Sequence, residues 1–160
     1  MLTGAEGGCD CGRVRYRLTA EPIVVNCCHC HACQRQTGSA FALNLIIEAA
    51  HVELLGDAPE AVEMPTASGK GQANLRCPSC RVSLWSVYHA AGDGARFVRA
   101  GTLDDPSGVR PTVHIHTAAR QPWVMLDEAT PQFEGFYSGR DIPAVFGEAN
   151  ALRWRAVLGR

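Results

Sequence analysis

Polar and apolar positions alternate most cleanly over residues 13–18, where Val14, Tyr16 and Leu18 fall on one side and Arg13, Arg15 and Arg17 on the other. A period of two marks a half-buried strand, with the arginines on its solvated face. Apolar runs of strand length recur at 22–26, 41–47, 82–88, 96–100 and 112–117; each is too short for a stable helix. Residues 51–55, closed by Gly56, and 61–64, closed by Pro65, add two more, with Asp57-Ala58-Pro59 turning between them. Ser68-Gly69-Lys70-Gly71 reads as an exposed, mobile loop and Asp104-Asp105-Pro106-Ser107-Gly108 as a turn. Helical signals are confined to one turn at 33–37, ended by Gly38, and to residues 149–158. The pattern predicts a mainly β fold of short antiparallel strands in small packed sheets, with few or short helices.

At 160 residues, with no repeat or low-complexity run, the chain is long enough for one domain with a sizeable core. A formal charge of −1 provides no electrostatic footprint for nucleic acid or an anionic membrane, and all but Lys70 of the 15 basic residues are scattered arginines. The first residues, Met1-Leu2-Thr3-Gly4-Ala5-Glu6, lack the basic and apolar segments of an export signal. No run approaches the ~18 apolar residues of a membrane span. A cytoplasmic protein with neither nucleic-acid nor membrane partners is expected.

Cysteine changes this picture most. Eight cysteines are compatible with four disulfides, but their grouping as Cys-x-Cys and Cys-x-x-Cys, in a chain without an export signal, favours metal. In Cys28-His29-Cys30-His31-Ala32-Cys33, an extended backbone points Cys28 and Cys30 to one side and a turn at His31-Ala32 swings Cys33 to the same point. Three thiolates so placed suit a tetrahedral ion such as zinc, with one corner left open as in catalytic sites. Cys9 and Cys11 form a second pair of the same spacing, and Cys77-Pro78-Ser79-Cys80 is a metal-binding knuckle. Two divisions remain open on spacing alone: Cys77 and Cys80 close a site with Cys9 and Cys11, or with two of the middle cysteines. Charge favours the first, which leaves a closed site at −2 and an open one at −1. Cys27 and His29 are expected to face away from the cluster, Cys27 as a buried small hydrophobe. His31 lies close enough to offer a fourth ligand, and His114 and His116 share one strand face.

Taken in order, Gly8-Cys9-Asp10-Cys11-Gly12-Arg13-Val14-Arg15-Tyr16, residues 28–41, Cys77-Pro78-Ser79-Cys80 and Gly101-Thr102-Leu103-Asp104-Asp105-Pro106 resemble the glutathione-dependent formaldehyde-activating (GFA) family, also called the S-(hydroxymethyl)glutathione synthase or centromere-protein-V-like family. The resemblance spans about residues 3–133 and leaves 134–160 as a C-terminal extension of a single domain, 1–160. It implies a zinc-stapled fold of the β-tent type, a structural zinc on Cys9, Cys11, Cys77 and Cys80, and a catalytic zinc on Cys28, Cys30 and Cys33. It further implies condensation of two small-molecule partners, the thiol glutathione and the aldehyde formaldehyde, to S-(hydroxymethyl)glutathione, a carbon–sulfur lyase type of chemistry. Gln34, Arg35 and Thr37 follow the cluster closely enough to contact glutathione, Arg35 best of all. Where the family usually has glycine after the knuckle, this chain has Arg81, which predicts an arginine in a left-handed backbone at a cost of about 1 kcal/mol. The rival to an enzyme is a zinc-bearing thiol-binding or structural module, its fourth corner filled by His31 or Cys27.

Overall fold

The computed structural model describes residues 1–66 and 68–159. It is mainly β, with two sheets and short helices. The small sheet has the order β1 (Glu6–Gly8), β2 (Arg15–Leu18), β5 (Val52–Leu54). The large sheet is built from β3 (Val24–Cys28), β4 (Ala42–Glu48), β6 (Glu60–Met64), β7 (Gln72–Arg76), β8 (Ser83–Tyr88), β9 (Ala95–Arg99) and β10 (Val113–Ile115). Its order is β10-β3-β4-β9-β8-β7-β6. The pairs are antiparallel, as expected of short strands in small packed sheets, except β10 beside β3, which is parallel. The long connection from β9 to β10 permits that crossover, which a short hairpin does not.

Alternation explains the first strand: Val14, Tyr16 and Leu18 are fully buried, and their arginine neighbours pair at the surface with Asp57, Asp104, Glu6 and Glu53. β4 is apolar on consecutive positions because both of its faces are covered. Leu45 and Ile47 join Tyr16, Leu18, Trp85 and Val98 in one core, while Ile46 joins Ile23, Val24, Val113 and Ile115 in another. Gly7 is forced by close approach, since a Cβ there would lie 2.4 Å from the Thr102 carbonyl oxygen and 2.6 Å from the Tyr16 hydroxyl.

Residues beyond 130 complete the second core. The stretch 131–135 runs along the outer edge of β10 through hydrogen bonds at His114 and His116. Helices α2 (Ile142–Phe146) and α3 (Glu148–Val157) then bring Phe146 edge-on against Tyr137 and Trp154 edge-on against Phe146. Arg153 clamps α3 to β4 through Glu48 at 2.7 Å. Pro143 in the first turn of α2 hides that helix from periodicity, whereas the predicted 149–158 helix is α3. Among the described residues no helix is long and apolar enough to cross a membrane.

Candidate functional site

Two turns of matching construction hold the first thiol group. After β1, the Cys9 N–H donates to Val14 O and the Gly12 N–H donates to Cys9 O. Between β7 and β8, the Cys77 N–H donates to Val82 O and the Arg81 N–H donates to Cys77 O. Gly12 and Arg81 occupy equivalent places, each with positive φ, 75° and 64°. The left-handed backbone expected at Arg81 is therefore present, in the position glycine fills in the other turn. Relief of about 1–2 kcal/mol of left-handed strain exceeds the added chain entropy of glycine, about 0.5–1 kcal/mol, and the loss of an exposed ion pair with Glu60. Arg81→Gly is expected to raise the unfolding free energy by about 0.5 kcal/mol. Arg81→Val should lower it, and urea melts at fixed metal loading should rank glycine above arginine above valine.

The two turns bring Cys9, Cys11, Cys77 and Cys80 together with all four sulfurs within 4.8 Å of one another. The Cys9–Cys11 and Cys11–Cys77 separations are 3.4 and 3.6 Å. A tetrahedral ion with metal–sulfur bonds of about 2.3 Å needs sulfurs about 3.8 Å apart, so the set fits zinc with little adjustment. The Val82 N–H, followed by the neighbouring donors, lowers the Cys80 thiol to about 6 and favours its thiolate. All eight cysteines are free, contrary to a disulfide framework.

The second group forms where β3 runs into α1 (His31–Thr37). Cys28 ends the strand. Cys30, still extended at φ −64° and ψ 151°, caps the helix by accepting from the Cys33 N–H at 3.4 Å, and Cys33 lies in the first turn. Gly38, in a left-handed conformation, ends the helix as its sequence position predicts. The sulfurs of Cys28, Cys30 and Cys33 lie within 4.8 Å of one another. Hydrogen bonds from Cys28 and then Cys33 lower Cys30 to about 2, while those same contacts drive Cys28 upward. A bound dication would stabilise all three as thiolates. Among the described residues this group has no fourth His, Cys, Asp or Glu ligand atom. His31 is exposed at the start of α1, and Cys27 faces the opposite side of β3 as expected.

The open side of this trio faces a cavity of about 310 Å3 lined by Asn26, Asn44, Ser86, Arg99, His116 and Phe136. Behind the trio, His29 is fully buried, its Nε2 3.6 Å from Cys27 Sγ and 3.1 Å from His114 Nδ1. Burial, with His114 and Arg120 nearby, brings His29 down to about 4, so it is neutral at pH 7. The expectation that His114 and His116 share a face fails. β10 ends at Ile115, and His116 turns out of it with φ 55°. His114 packs on His29, whereas His116 lines the cavity beside Cys30.

The three residues expected to contact substrate occupy different settings. Gln34 donates to the carbonyls of His29 and Ala119 and accepts from Gln121, so its amide ties α1 to the chain around it. Thr37 donates within α1 and to Phe41 O. Arg35 is exposed and borders an adjoining cavity of about 460 Å3 with Cys30, His31, His116 and Glu134. The inward-facing residues that sequence reasoning passed over are Arg99, Arg76 and Asn44, whereas His116 was singled out but placed on the wrong strand face. Arg99 had one legible signal, a charge alternating with Phe97 on a face that an apolar strand ought to bury.

A family profile described as glutathione-dependent formaldehyde-activating enzyme matches residues 4–119. The chain belongs to the GFA family. A Halomonas elongata protein whose name provisionally assigns it as a glutathione-dependent formaldehyde-activating enzyme is 30% identical over 159 residues, 96% of each chain. A solved Rhodobacter sphaeroides protein aligns over 66% of this chain and 91% of its own, at 18% identity and a TM-score of 0.48. The GFA match begins before Cys9 and ends after His116, so it takes in both thiol groups and the cavity-lining histidine, while the helices α2 and α3 lie beyond it.

Proposed function

We propose that this chain, read as one GFA-type domain over residues 1–160, is a carbon–sulfur lyase of the S-(hydroxymethyl)glutathione synthase type. It condenses glutathione, or a related thiol, with formaldehyde. The observation that carries this reading is the contrast between the two thiol groups: four sulfurs close on one another, while three others face a cavity large enough for a small substrate. In the reaction a carbon–sulfur bond forms, the carbonyl π bond breaks, and the thiol proton ends on the new hydroxyl oxygen. Zinc held by Cys28, Cys30 and Cys33 would supply Lewis acidity that lowers the thiol pKa or polarises the carbonyl.

The chain's own residues supply position and proton handling. The cavity wall holds the two reactants together and removes the entropy cost of their encounter. His116, beside Cys30, provides a ring nitrogen able to accept the thiol proton and return it to oxygen. Arg35 meets glutathione from the adjoining mouth, and Gln34 and Thr37 keep α1, and with it Cys33, in register.

The test is the rate at which glutathione and formaldehyde exchange with their adduct at equilibrium, followed by exchange NMR. The protein is expected to accelerate exchange in proportion to its concentration. Saturable thiol binding with no acceleration would replace the enzyme reading with a binding one.

A further inference from the structure

Arg99 is only 7% exposed, yet it has no carboxylate partner among the described residues. Its two terminal nitrogens donate to neutral amides, Nη1 to Asn44 Oδ1 and Nη2 to Gln36 Oε1 at 2.9 Å, and its Nε has no acceptor. Arg76, half-buried at the end of β7, is similar in its polar contacts: among the described residues its buried Nε has no acceptor and no carboxylate pairs with it. Both guanidinium groups border one cavity of about 510 Å3, shared with Gln36 and Thr102. Arg99 also borders the cavity of the three sulfurs, so it forms the wall between the two spaces.

Arg99, buried, and Arg76, half-buried, are cations beside one space and repel each other, and the buried one is costly to leave without a partner. Burial first, with Arg76 adding to it, depresses the Arg99 pKa, while the sulfurs of Cys33, Cys28 and Cys30 oppose the shift. A dication among three thiolates leaves a charge of −1, enough to balance one guanidinium. The other still lacks a counter-charge, and the orphan N–H groups lack acceptors. A carboxylate meets both needs, since its two oxygens accept parallel N–H donors from guanidinium.

We propose that Arg99 and Arg76 form an anion subsite that binds a carboxylate of the thiol substrate while its sulfur lies at the Cys28–Cys30–Cys33 cluster. The subsite rests on the proposed reaction of glutathione or a related thiol and makes that reading specific. It selects thiols bearing a carboxylate over neutral thiols of similar size, and it discriminates because the empty subsite leaves buried donors unsatisfied.

The probe is γ-glutamyl-2-aminobutyryl-glycine, which keeps both carboxylates of glutathione and carries a methyl group in place of the thiol. Titrated into the full-length, metal-loaded protein labelled with 15N-arginine, it is expected to shift the Nε–H resonances of Arg99 and Arg76 saturably. Arg76→Gln should weaken its binding about tenfold at unchanged metal content and melting temperature. Arg99→Lys, which keeps the charge but loses the fork, should weaken it as well. Resonances that stay fixed, or an Arg76→Gln variant that binds as tightly as the parent, would overturn the subsite. Exchange acceleration is read separately. Acceleration without probe binding sinks the subsite and keeps the enzyme; binding without acceleration keeps the subsite and sinks the enzyme.

Discussion

Replacing Cys77 by serine is expected to leave no cooperatively folded domain at 25 °C. Cys77 is fully buried, and its sulfur lies 3.6 Å from that of Cys11, 66 positions earlier in the chain. The four-sulfur group therefore ties the turn after β1 to the turn between β7 and β8, and through them the small sheet to the large one. No such group exists in an unfolded chain, so metal affinity at a structural site becomes folding energy, about 10–16 kcal/mol for zinc in small peptides. That figure is comparable to the entire stability of a typical domain, about 5–15 kcal/mol. Circular dichroism melts of the variant, with metal content measured alongside, provide the check. A cooperative transition with the parent's metal content would remove the structural role assigned to this group.

Cys30→Ser is expected to do the opposite: the domain stays folded, one equivalent of metal is lost, and exchange acceleration disappears. The reason lies in the local geometry. Cys30 caps α1 by accepting from the Cys33 N–H, and a serine hydroxyl is among the best acceptors for that position. Cys30 only borders the second core, being partly buried at its edge, and serine is close to it in size. The stability change should stay within about 1 kcal/mol, whereas the trio loses one of only three ligands. Metal analysis, a thermal melt and the exchange rate on one preparation separate these effects. If Cys30→Ser unfolds as completely as Cys77→Ser, the division into a holding site and a working site falls.

The local features were legible because they depend on neighbours in sequence. The alternation of Val14, Tyr16 and Leu18 predicts their burial, and Gly38 predicts the end of α1. The Cys-x-x-Cys knuckle at Cys77 and Cys80 predicts a turn whose positive-φ position falls on Arg81. Short-range geometry leaves little freedom in each case. One error came from extending such a rule one residue too far. Alternation assigned His116 to the face of His114, but hydrogen bonds to 133 and 135 bend the chain at the end of β10. β10, arriving through a long connection, docks parallel on β3 beside otherwise antiparallel pairs, which no spacing in the sequence announces.

Residue spacing was thus enough to establish that the protein is mainly β, that its cysteines come in metal-binding groups, and which three of them lie together at 28, 30 and 33. Each of these follows from bond geometry over a few residues. Folding over long distances determined the rest. Pairing Cys9 and Cys11 with Cys77 and Cys80, rather than with the middle group, requires the two turns to meet across the sheets. Arg99 and Arg76 come to line one cavity because β7 and β9 flank β8, and which side chains then meet there depends on the register of three strands rather than on spacing within one. The buried charge is visible in the sequence only as an arginine in a strand; its missing partner emerges only when every neighbour is in place.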